Sequence, residues 1–360
     1  MENPHSAVAR KIASALEEGL PLSPEPFACV AGALGIDQDS AVSVTESLLH
    51  SGSLRRFGAF WDFSPFYSAY LFGAKVAPEK LGHVSDWING LDSVTHSYLR
   101  DHELNLWFTA IFKGNESALM LAKITEKFRA KDIPFAALGT VRRIKLRPSF
   151  AGHQHDGGDG VASDVAGLEF APVPGHENKF PQSLNETQKK IIALLQKDMK
   201  PQRRLFESLA ACAGMSEQEC IRNLAELRSL GFLRRIGASV NHNAAGYTAN
   251  SLMAFDVSGI PEGEATLCAA KAVSGHPWAS HCYLRNVVAS SLGYPWRHCM
   301  FVMIHARSGT ELAEREGIIV SSLSGPASGE IISMMTLREY KKTSFIFDVE
   351  SIDTDLQSRA

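Results

Sequence analysis

The pattern of apolar and polar positions along the chain occurs twice. Near the N-terminus and again beyond residue 184, apolar residues recur at intervals of three and four, which is typical of amphipathic helices. Helices are predicted at residues 7–18, 25–33 and 39–50 and, in the second set, at 185–196, 203–213 and 216–230. A strand-like stretch follows each set, from residue 53 and at 232–240, and we interpret it as a β-wing. This order predicts a winged helix-turn-helix in each half of the chain.

Beyond each wing, strand-like and helix-like stretches alternate. The first copy predicts strands at 68–77, 92–100, 104–112 and 140–147, with helices at 78–89 and 116–130. The second copy predicts strands at 249–257, 279–285, 298–306 and 331–340, with helices at 262–273 and 310–320. The order βαββαβ predicts a ferredoxin-like sheet with helices on one face. The predicted fold class is therefore α+β, with two tandem copies of a winged helix-turn-helix and a ferredoxin-like domain.

Two motifs recur in the same order and support this division. LRRFGA at residues 54–59 returns as LRRIGA at 233–238, and THSYLR at 95–100 returns as SHCYLR at 280–285. The predicted domains are a winged helix-turn-helix (1–63), a ferredoxin-like domain (64–150), a linker (151–183), a second winged helix-turn-helix (184–245), a second ferredoxin-like domain (246–348) and a tail (349–360). Because the linker is rich in Gly, Pro and Asp, we expect it to be flexible, with solvated histidines rather than metal ligands at His153, His155 and His176.

Composition narrows the classes of function. The 360 residues carry a formal net charge of −3, which gives no general attraction to nucleic acid or to an anionic membrane. No apolar run is long enough to span a membrane, and the first ten residues lack the apolar core of a signal peptide. The six cysteines form no C-x-x-C pair, which favours reduced thiols over disulfides or a metal site. We expect a cytoplasmic protein without a metal site of its own.

A polar row lies on one predicted strand of each copy. Because strand side chains alternate between faces, His96, Tyr98 and Arg100 share one face of their strand; we call them the first row. The second row consists of His281, Tyr283 and Arg285. Such polar side chains are unsuited to a hydrophobic core but suited to the lining of a polar cleft. Two interpretations stay open: the helix-free faces of two packed sheets trap a ligand there, or the rows satisfy each other across the interface between the sheets.

Further candidate binding residues lie around these rows. They are His102, Trp107, Arg142, Trp296, His305, Arg338, Tyr340 and Lys341. The basic side chains suit a carboxylate-rich ligand, with solvated strand ends as the alternative. We interpret Trp296, in the insertion at 286–297, as part of a lid over a flat apolar ligand; Trp107 fits the same interpretation or simple core packing. His305 is either an axial ligand or an ordinary histidine at a strand end.

The motifs resemble those of a known enzyme family. The architecture is similar to that of Lrp/AsnC proteins, and within it THSYLRDH at 95–102, LNLWFT at 104–109 and LPLSPEPF at 20–27 resemble the A-type subunit of siroheme decarboxylases. SHCYLR at 280–285, MIH at 303–305 and REYKKT at 338–343 resemble the B-type subunit. One run departs from the family pattern: residues 296–299 read WRHC where a run like WPYN is usual, which concerns the lid contacts of the second copy.

The resemblance implies removal of carbon dioxide from the two acetate side chains of siroheme. The product, didecarboxysiroheme, would serve an alternative heme route or the heme of nitrite reductase. It further implies His96 or His281 as general acid, and Arg100, Arg285, Arg338 and Lys341 as holders of the other carboxylates. No cofactor is expected beyond the iron of the siroheme substrate, because the macrocycle can accept the electrons. The expected assembly is an intramolecular pseudo-dimer, with a homodimer as an alternative.

Other functions compete with this one. An Lrp-like transcription regulator needs basic recognition helices, because affinity for duplex DNA comes largely from phosphate neutralisation. Residues 36–50 contain three acidic and no Lys or Arg residues, and residues 216–230 contain three acidic against two basic ones. We therefore expect no specific DNA partner. A tetrapyrrole sensor without catalysis stays open, since the same residues would bind the ligand.

Overall fold

The computed structural model describes residues 7–145, 183–257, 260–273, 276, 278–323 and 330–359. The described residues belong to two compact units. The first unit is drawn from residues 1–63, 149–245 and 346–360, and the second from residues 64–148 and 246–345. The predicted linker lies outside the described residues except for residue 183.

Helices and strands follow one another in the predicted order. The first copy contains α1 (Ala7–Glu18), α2 (Pro26–Leu34), α3 (Gln38–His50), β1 (Leu54–Trp61), β2 (Tyr67–Ala74), α4 (Pro78–Asn89), β3 (Val94–Arg100), β4 (Leu106–Lys113), α5 (Ser117–Arg129) and β5 (Phe135–Lys145). The second contains α6 (Glu186–Leu195), α7 (Leu205–Ala213), α8 (Glu217–Ser229), β6 (Leu233–Val240), β7 (Ala249–Asp256), α9 (Glu262–Val273), β8 (Ala279–Ser290), β9 (His298–Ala306), α10 (Gly309–Ser322) and β10 (Ile331–Lys342), followed by α11 (Val349–Arg359). The α+β class and the tandem arrangement are confirmed.

The first unit holds both helix-turn-helix modules. Local capping chemistry determines where their helices begin and end: Asn185 and Gln188 form the predicted capping box of α6, and Gly214, in the left-handed conformation, ends α7. The stretches predicted as β-wings are the strands β1 and β6. Each module supplies a single strand, and β1 and β6 pair antiparallel with each other, so that Phe57 faces Ala238. A lone strand leaves its backbone donors and acceptors unpaired, and the matching strand of the other copy satisfies them.

The C-terminal segment that was predicted to be a tail forms the helix α11. Ile352 and Leu356 of α11 are buried, and the side chain of Asp353 accepts a hydrogen bond from the backbone of Leu184 at 2.7 Å. Lys189 of α6 lies 2.8 Å from Asp353, which joins the helix to the second module. These contacts cross more than 160 positions of the chain, so the short local pattern alone could not reveal them.

One glycine of the first unit is required by close packing. A Cβ atom on Gly237 would lie 2.2 Å from the carbonyl oxygen of Leu16, which is backbone and cannot move aside easily. At the equivalent position Gly58, the nearest atom would be Nη2 of Arg56 at 3.3 Å, the end of a flexible side chain. We therefore expect Gly237→Ala to lower the free energy of unfolding by about 3 kcal/mol, the upper end of the usual cost of overpacking. The matched variant Gly58→Ala should change it by less than about 1 kcal/mol. Denaturant unfolding checks both variants, and equal losses would contradict this account of the contact.

The second unit joins the two ferredoxin-like sheets through their edges. The strands of each copy follow the same order, β5-β2-β4-β3 in the first and β10-β7-β9-β8 in the second. The edge strand β3 pairs with β10 and the edge strand β5 pairs with β8, which closes the sheets into one barrel. From the sequence we considered packing of the two helix-free faces and did not predict this pairing of edges. Edge pairing occurs because each four-stranded sheet leaves two unpaired edges, and closure removes all of them.

Each strand of the barrel separates two environments. Helices α4 and α5 cover the outer face of the first sheet, where Ile88 and Phe128 pack against Phe72 and Phe108. Helices α9 and α10 cover the second sheet in the same way. No helix among the described residues covers the inner face. This face carries an apolar cluster, which we call the plug: Leu71, Leu104, Trp107, Ala136, Leu138, Leu252, Ala254, Trp296, Phe301 and Met334. No helix within the described part of the chain has the length and apolarity needed to cross a membrane.

Candidate active site

Both rows point to the inner face of the barrel. In the β3–β4 ladder Tyr98 stands opposite Trp107 of the plug, whereas its neighbour Ser97 stands opposite Phe108 of the outer cluster. Residues directly opposite each other in antiparallel strands share a face. In the β8–β9 ladder, Tyr283 stands opposite Phe301 of the plug. The first and second rows therefore both lie on the inner face of the barrel, next to residues of the apolar plug.

Arg100 is buried at the end of the first row. It is 2% exposed, and its Nη1 donates to the backbone oxygen of Met334 and to Oγ1 of Thr336, both at 3.0 Å. Its guanidinium carbon lies 5.1 Å from the ring centre of Tyr98, a cation–π distance. Thr336 in turn donates to Oδ1 of Asn250 at 2.6 Å. These contacts hold the guanidinium in place through neutral partners.

Arg285 has the equivalent environment in the second row. It is 7% exposed, and its Nη1 donates to Oγ1 of Thr140 at 2.8 Å. Its guanidinium carbon lies 4.7 Å from the ring centre of Tyr283. The two rows thus repeat one arrangement of arginine, tyrosine and threonine.

Neither guanidinium is neutralised by a carboxylate of the described residues. No carboxylate lies within ion-pair distance of Arg100 or Arg285 among the described residues, and the Nε atoms of both are buried without a hydrogen-bond partner there. Burial lowers the pKa of each arginine to about 10, so both remain charged at neutral pH. A buried cation without a counter-ion is unfavourable by several kcal/mol, on the order of the penalty for leaving an ion unpaired. The inner face is therefore prepared for an anionic ligand.

The histidines of the two rows are held differently. Nδ1 of His96 lies 2.9 Å from Oγ1 of Thr95. Nδ1 of His281 lies 2.8 Å from Oγ of Ser280, which also lies 2.9 Å from Nε2 of His305. His305 is 6% exposed, so a buried histidine lies behind the second row. A hydroxyl on Nδ1 fixes the rotation of each imidazole ring.

Several predicted binding residues lie on the outer face instead. Arg142 stands opposite Leu284, and Arg338 stands opposite Leu99, both away from the rows. Arg338 lies 5.0 Å over the ring of Tyr340, which packs against the outer cluster. The ammonium of Lys341 donates to the carbonyl oxygens of Asn89 and Leu91 at the end of α4. These four residues lie away from the rows, because irregularities in β5 and β10 shift the alternation by one residue.

The tryptophan predicted to form a lid lies in the core instead. Trp296 is 6% exposed and lies 5.9 Å from Trp107 within the plug, so both tryptophans are core residues. His102 lies at the same end of the barrel, and its Nδ1 accepts from the backbone of Leu104 at 3.0 Å. A cavity of about 460 Å³ adjoins this end, lined by His102, Glu103, Asp256, Tyr294, Trp296, His298 and Glu330 among others. Three carboxylates make it unsuitable for an anionic ligand.

Strand register brings three further charges to the inner face, and one of them, Lys342, stands opposite His96. Arg143 stands opposite Tyr283, and Glu339 stands opposite Tyr98. The sequence shows all three charges, but only the pairing of β5 with β8 and of β10 with β3 reveals the face on which they lie. No group of three His, Cys, Asp or Glu residues in the described ranges is arranged to hold a metal ion.

Two protein-family models match the chain. The AsnC-like ligand binding domain matches residues 66–145 and 244–341. The siroheme decarboxylase NirDL-like HTH domain matches residues 9–55. Both matches agree with the architecture inferred from the motifs.

Relatives and a solved structure resemble the chain as well. It is 27% identical over 347 residues to the siroheme decarboxylase of Hydrogenobacter thermophilus, which covers 95% of this chain and 96% of that protein. It is 32% identical over 146 residues to the siroheme decarboxylase alpha subunit of Nitratidesulfovibrio vulgaris, 40% of this chain and 81% of that subunit. The crystal structure of the siroheme decarboxylase NirDL with an iron-uroporphyrin III analogue shares the fold: the TM-score is 0.63 at 24% identity, over 98% of this chain and 99% of that one. With 32% identity across 81% of a decarboxylase subunit, the chain belongs to the siroheme decarboxylase family.

Proposed function

We propose that the inner face of the barrel binds siroheme and removes carbon dioxide from its two acetate side chains, giving didecarboxysiroheme for heme biosynthesis. The observation that carries this proposal is the pair of buried arginines, Arg100 and Arg285, which have no carboxylate partner among the described residues. A carboxylate-rich macrocycle supplies the missing anions. Charge-assisted hydrogen bonds to Arg are directional, so they orient the macrocycle as well as hold it.

The chemistry follows from where the charges and protons lie. Loss of carbon dioxide from an acetate leaves an electron pair on the methylene carbon beside a pyrrole ring, and the macrocycle can delocalise it. A proton must then reach that carbon, and His96 and His281 are the groups on the inner face that can deliver one. Thr95 and Ser280 orient these rings. The apolar plug at one end of the inner face limits water around the reacting group.

The proposal also covers the cofactor, the assembly and the compartment of the enzyme. The substrate brings its own iron, and we infer no other cofactor. The two copies form an intramolecular pseudo-dimer, since β3 pairs with β10 and β5 with β8. Cys29, Cys212, Cys220, Cys282 and Cys299 are free thiols, in keeping with a cytoplasmic site of action.

Incubating the protein with siroheme and following the mass of the tetrapyrrole tests this function. We expect a product lighter by two carbon dioxide molecules, formed through a singly decarboxylated intermediate. The double variant Arg100→Met/Arg285→Met serves as the control and should give no product at the same siroheme concentration. Siroheme that is bound but unchanged would indicate a sensor. Tight, sequence-selective DNA binding would indicate a regulator, which the acidic composition of α3 and α8 opposes.

A further inference from the structure

The two rows have matching partners on the strands that pair with them. Arg100 stands opposite Thr336 on β10, and Arg285 stands opposite Thr140 on β5. Both arginines donate to those threonines. Histidine, tyrosine, arginine and threonine are thus the same at equivalent positions, and a symmetric substrate site would keep the other inner positions the same as well.

The inner position opposite the tyrosine of each row has opposite charges in the two copies. Glu339 stands opposite Tyr98, whereas Arg143 stands opposite Tyr283. The irregularities on either side of each are equivalent, so both residues occupy the same place in the ladder.

A carboxylate at the second row therefore meets the guanidinium of Arg285 and that of Arg143, which is exposed and donates to Oγ of Ser64. At the first row it meets one guanidinium, the like charge of Glu339 and the ammonium of Lys342, which pairs with Glu339. The first row thus carries one net positive charge fewer than the second.

We propose that this reversal divides the work between the rows: Arg143 marks the row that holds a carboxylate which is retained, and Glu339 marks the row in which an acetate loses carbon dioxide. This inference rests on the proposed function and names the reacting half of the same site. A carboxylate beside Glu339 is repelled in the bound state, and the repulsion disappears as its carbon leaves as neutral carbon dioxide. Lys342, whose ammonium lies 4.0 Å from Glu339, stands opposite His96 on the same inner face.

The step balances without a further reagent. The bond between the methylene carbon and the carboxylate carbon breaks, and its electron pair stays on the methylene carbon and the conjugated macrocycle. The imidazolium of His96, the histidine of the Glu339 row, gives its Nε2 or Nδ1 proton to that carbon, which becomes a methyl group. The products are carbon dioxide, the methyl-bearing ring and neutral imidazole, which regains a proton from water. Because one row reacts, the singly decarboxylated product must turn before its second acetate reacts.

Two charge-removing variants test the assignment in the full-length protein. Arg143→Gln should raise the Kd for siroheme about tenfold and leave the single-turnover rate at saturation within about twofold. Glu339→Gln should leave the Kd unchanged or lower it and slow the saturated single-turnover step at least tenfold. Arg142→Gln removes the same charge next to Arg143 but on the outer face, so it should change neither quantity. Absorbance titration gives Kd, and rapid mixing with mass analysis gives the rate.

The outcomes separate this inference from the proposed function. A slow saturated step in Arg143→Gln with a normal one in Glu339→Gln would overturn the assignment, as would weaker siroheme binding in Glu339→Gln. If the unmodified protein binds siroheme but releases no carbon dioxide, the proposed function fails. The titrations still decide the charge assignment in that case, because weaker binding in Arg143→Gln together with equal or tighter binding in Glu339→Gln supports it and the reverse contradicts it.

Discussion

Replacing either buried arginine of the rows should weaken siroheme binding and stabilise the empty protein at the same time. For Arg100→Met and Arg285→Met we expect the Kd for siroheme to rise about 10- to 100-fold, equivalent to about 1.5–3 kcal/mol for a lost charge-assisted hydrogen bond. In the absence of ligand, the free energy of unfolding should rise by about 1–2 kcal/mol. Binding thus becomes weaker while the empty protein becomes more stable. The reason is that the buried charge is unfavourable without a ligand and favourable when an anionic ligand is bound.

The physical reason is the lack of a counter-ion. Arg100 is 2% exposed and its polar contacts are a carbonyl oxygen and a hydroxyl, which are neutral groups. Methionine keeps the length and apolar stem of the side chain and removes the desolvation penalty of the charge. Residues kept at a cost in stability are typical of binding sites.

Outer-face arginines provide the control. Arg338→Met and Arg142→Met remove exposed charges on the same paired strands, so neither the Kd nor the free energy of unfolding should change measurably. Titration by absorbance and denaturant unfolding give the two quantities. Loss of stability in Arg100→Met with unchanged siroheme binding would make the arginine a structural residue and place the carboxylate site elsewhere.

Sequence alone predicted the parts of this molecule that depend on local chemistry. The alternation of His96, Tyr98 and Arg100 gave their common face, because a strand with regular pleating reverses side at each residue. The order of helices and strands followed from capping residues and from the change in hydrophobic period. The copies could be aligned from their motifs without any structure.

What the sequence left open depends on contacts between distant strands. Arg143 and Glu339 face inward and Arg142 and Arg338 outward because β5 and β10 each contain two irregularities that local pattern does not reveal. Trp296 was predicted to be exposed because it lies in an insertion between strands. The closure of the barrel buries it against Trp107. The site residues that were missed are therefore those whose face is set by register rather than by periodicity.

The two histidines should differ in their importance for turnover. We expect His96→Ala to slow decarboxylation at least 100-fold at saturating siroheme, the usual scale for losing a general acid, and His281→Ala to slow it less than about fivefold. Their local geometry is alike, with ring centres 6.4 Å and 6.3 Å from the tyrosines of their rows. Geometry within a row therefore does not distinguish them, and the difference must come from the groups around it.

Those groups favour His96 as the proton donor. Glu339 and its ion-pair partner Lys342, which stands opposite His96, together bring no net charge to this imidazole. His281 has Arg143 on the equivalent strand, which opposes a second positive charge. Its link through Ser280 to His305 holds the ring in place but supplies no negative charge. His281 is then suited to bind the macrocycle, and its loss should appear in the Kd more than in the rate.

Single-turnover conversion of siroheme, with singly and doubly decarboxylated products separated by mass, measures the difference. Circular dichroism and unfolding curves of both variants should match those of the parent, because both imidazole rings are partly exposed and outside the apolar clusters. A single reacting row also predicts that His96→Ala slows both decarboxylations equally, since each acetate must reach the same proton donor. Equal losses in the two variants, with one ratio of products, would instead require two equivalent rows or one site built jointly by both histidines. A variant that blocked only the second decarboxylation would assign one acetate to each row, and the charge reversal between Glu339 and Arg143 would then set the order of the two steps.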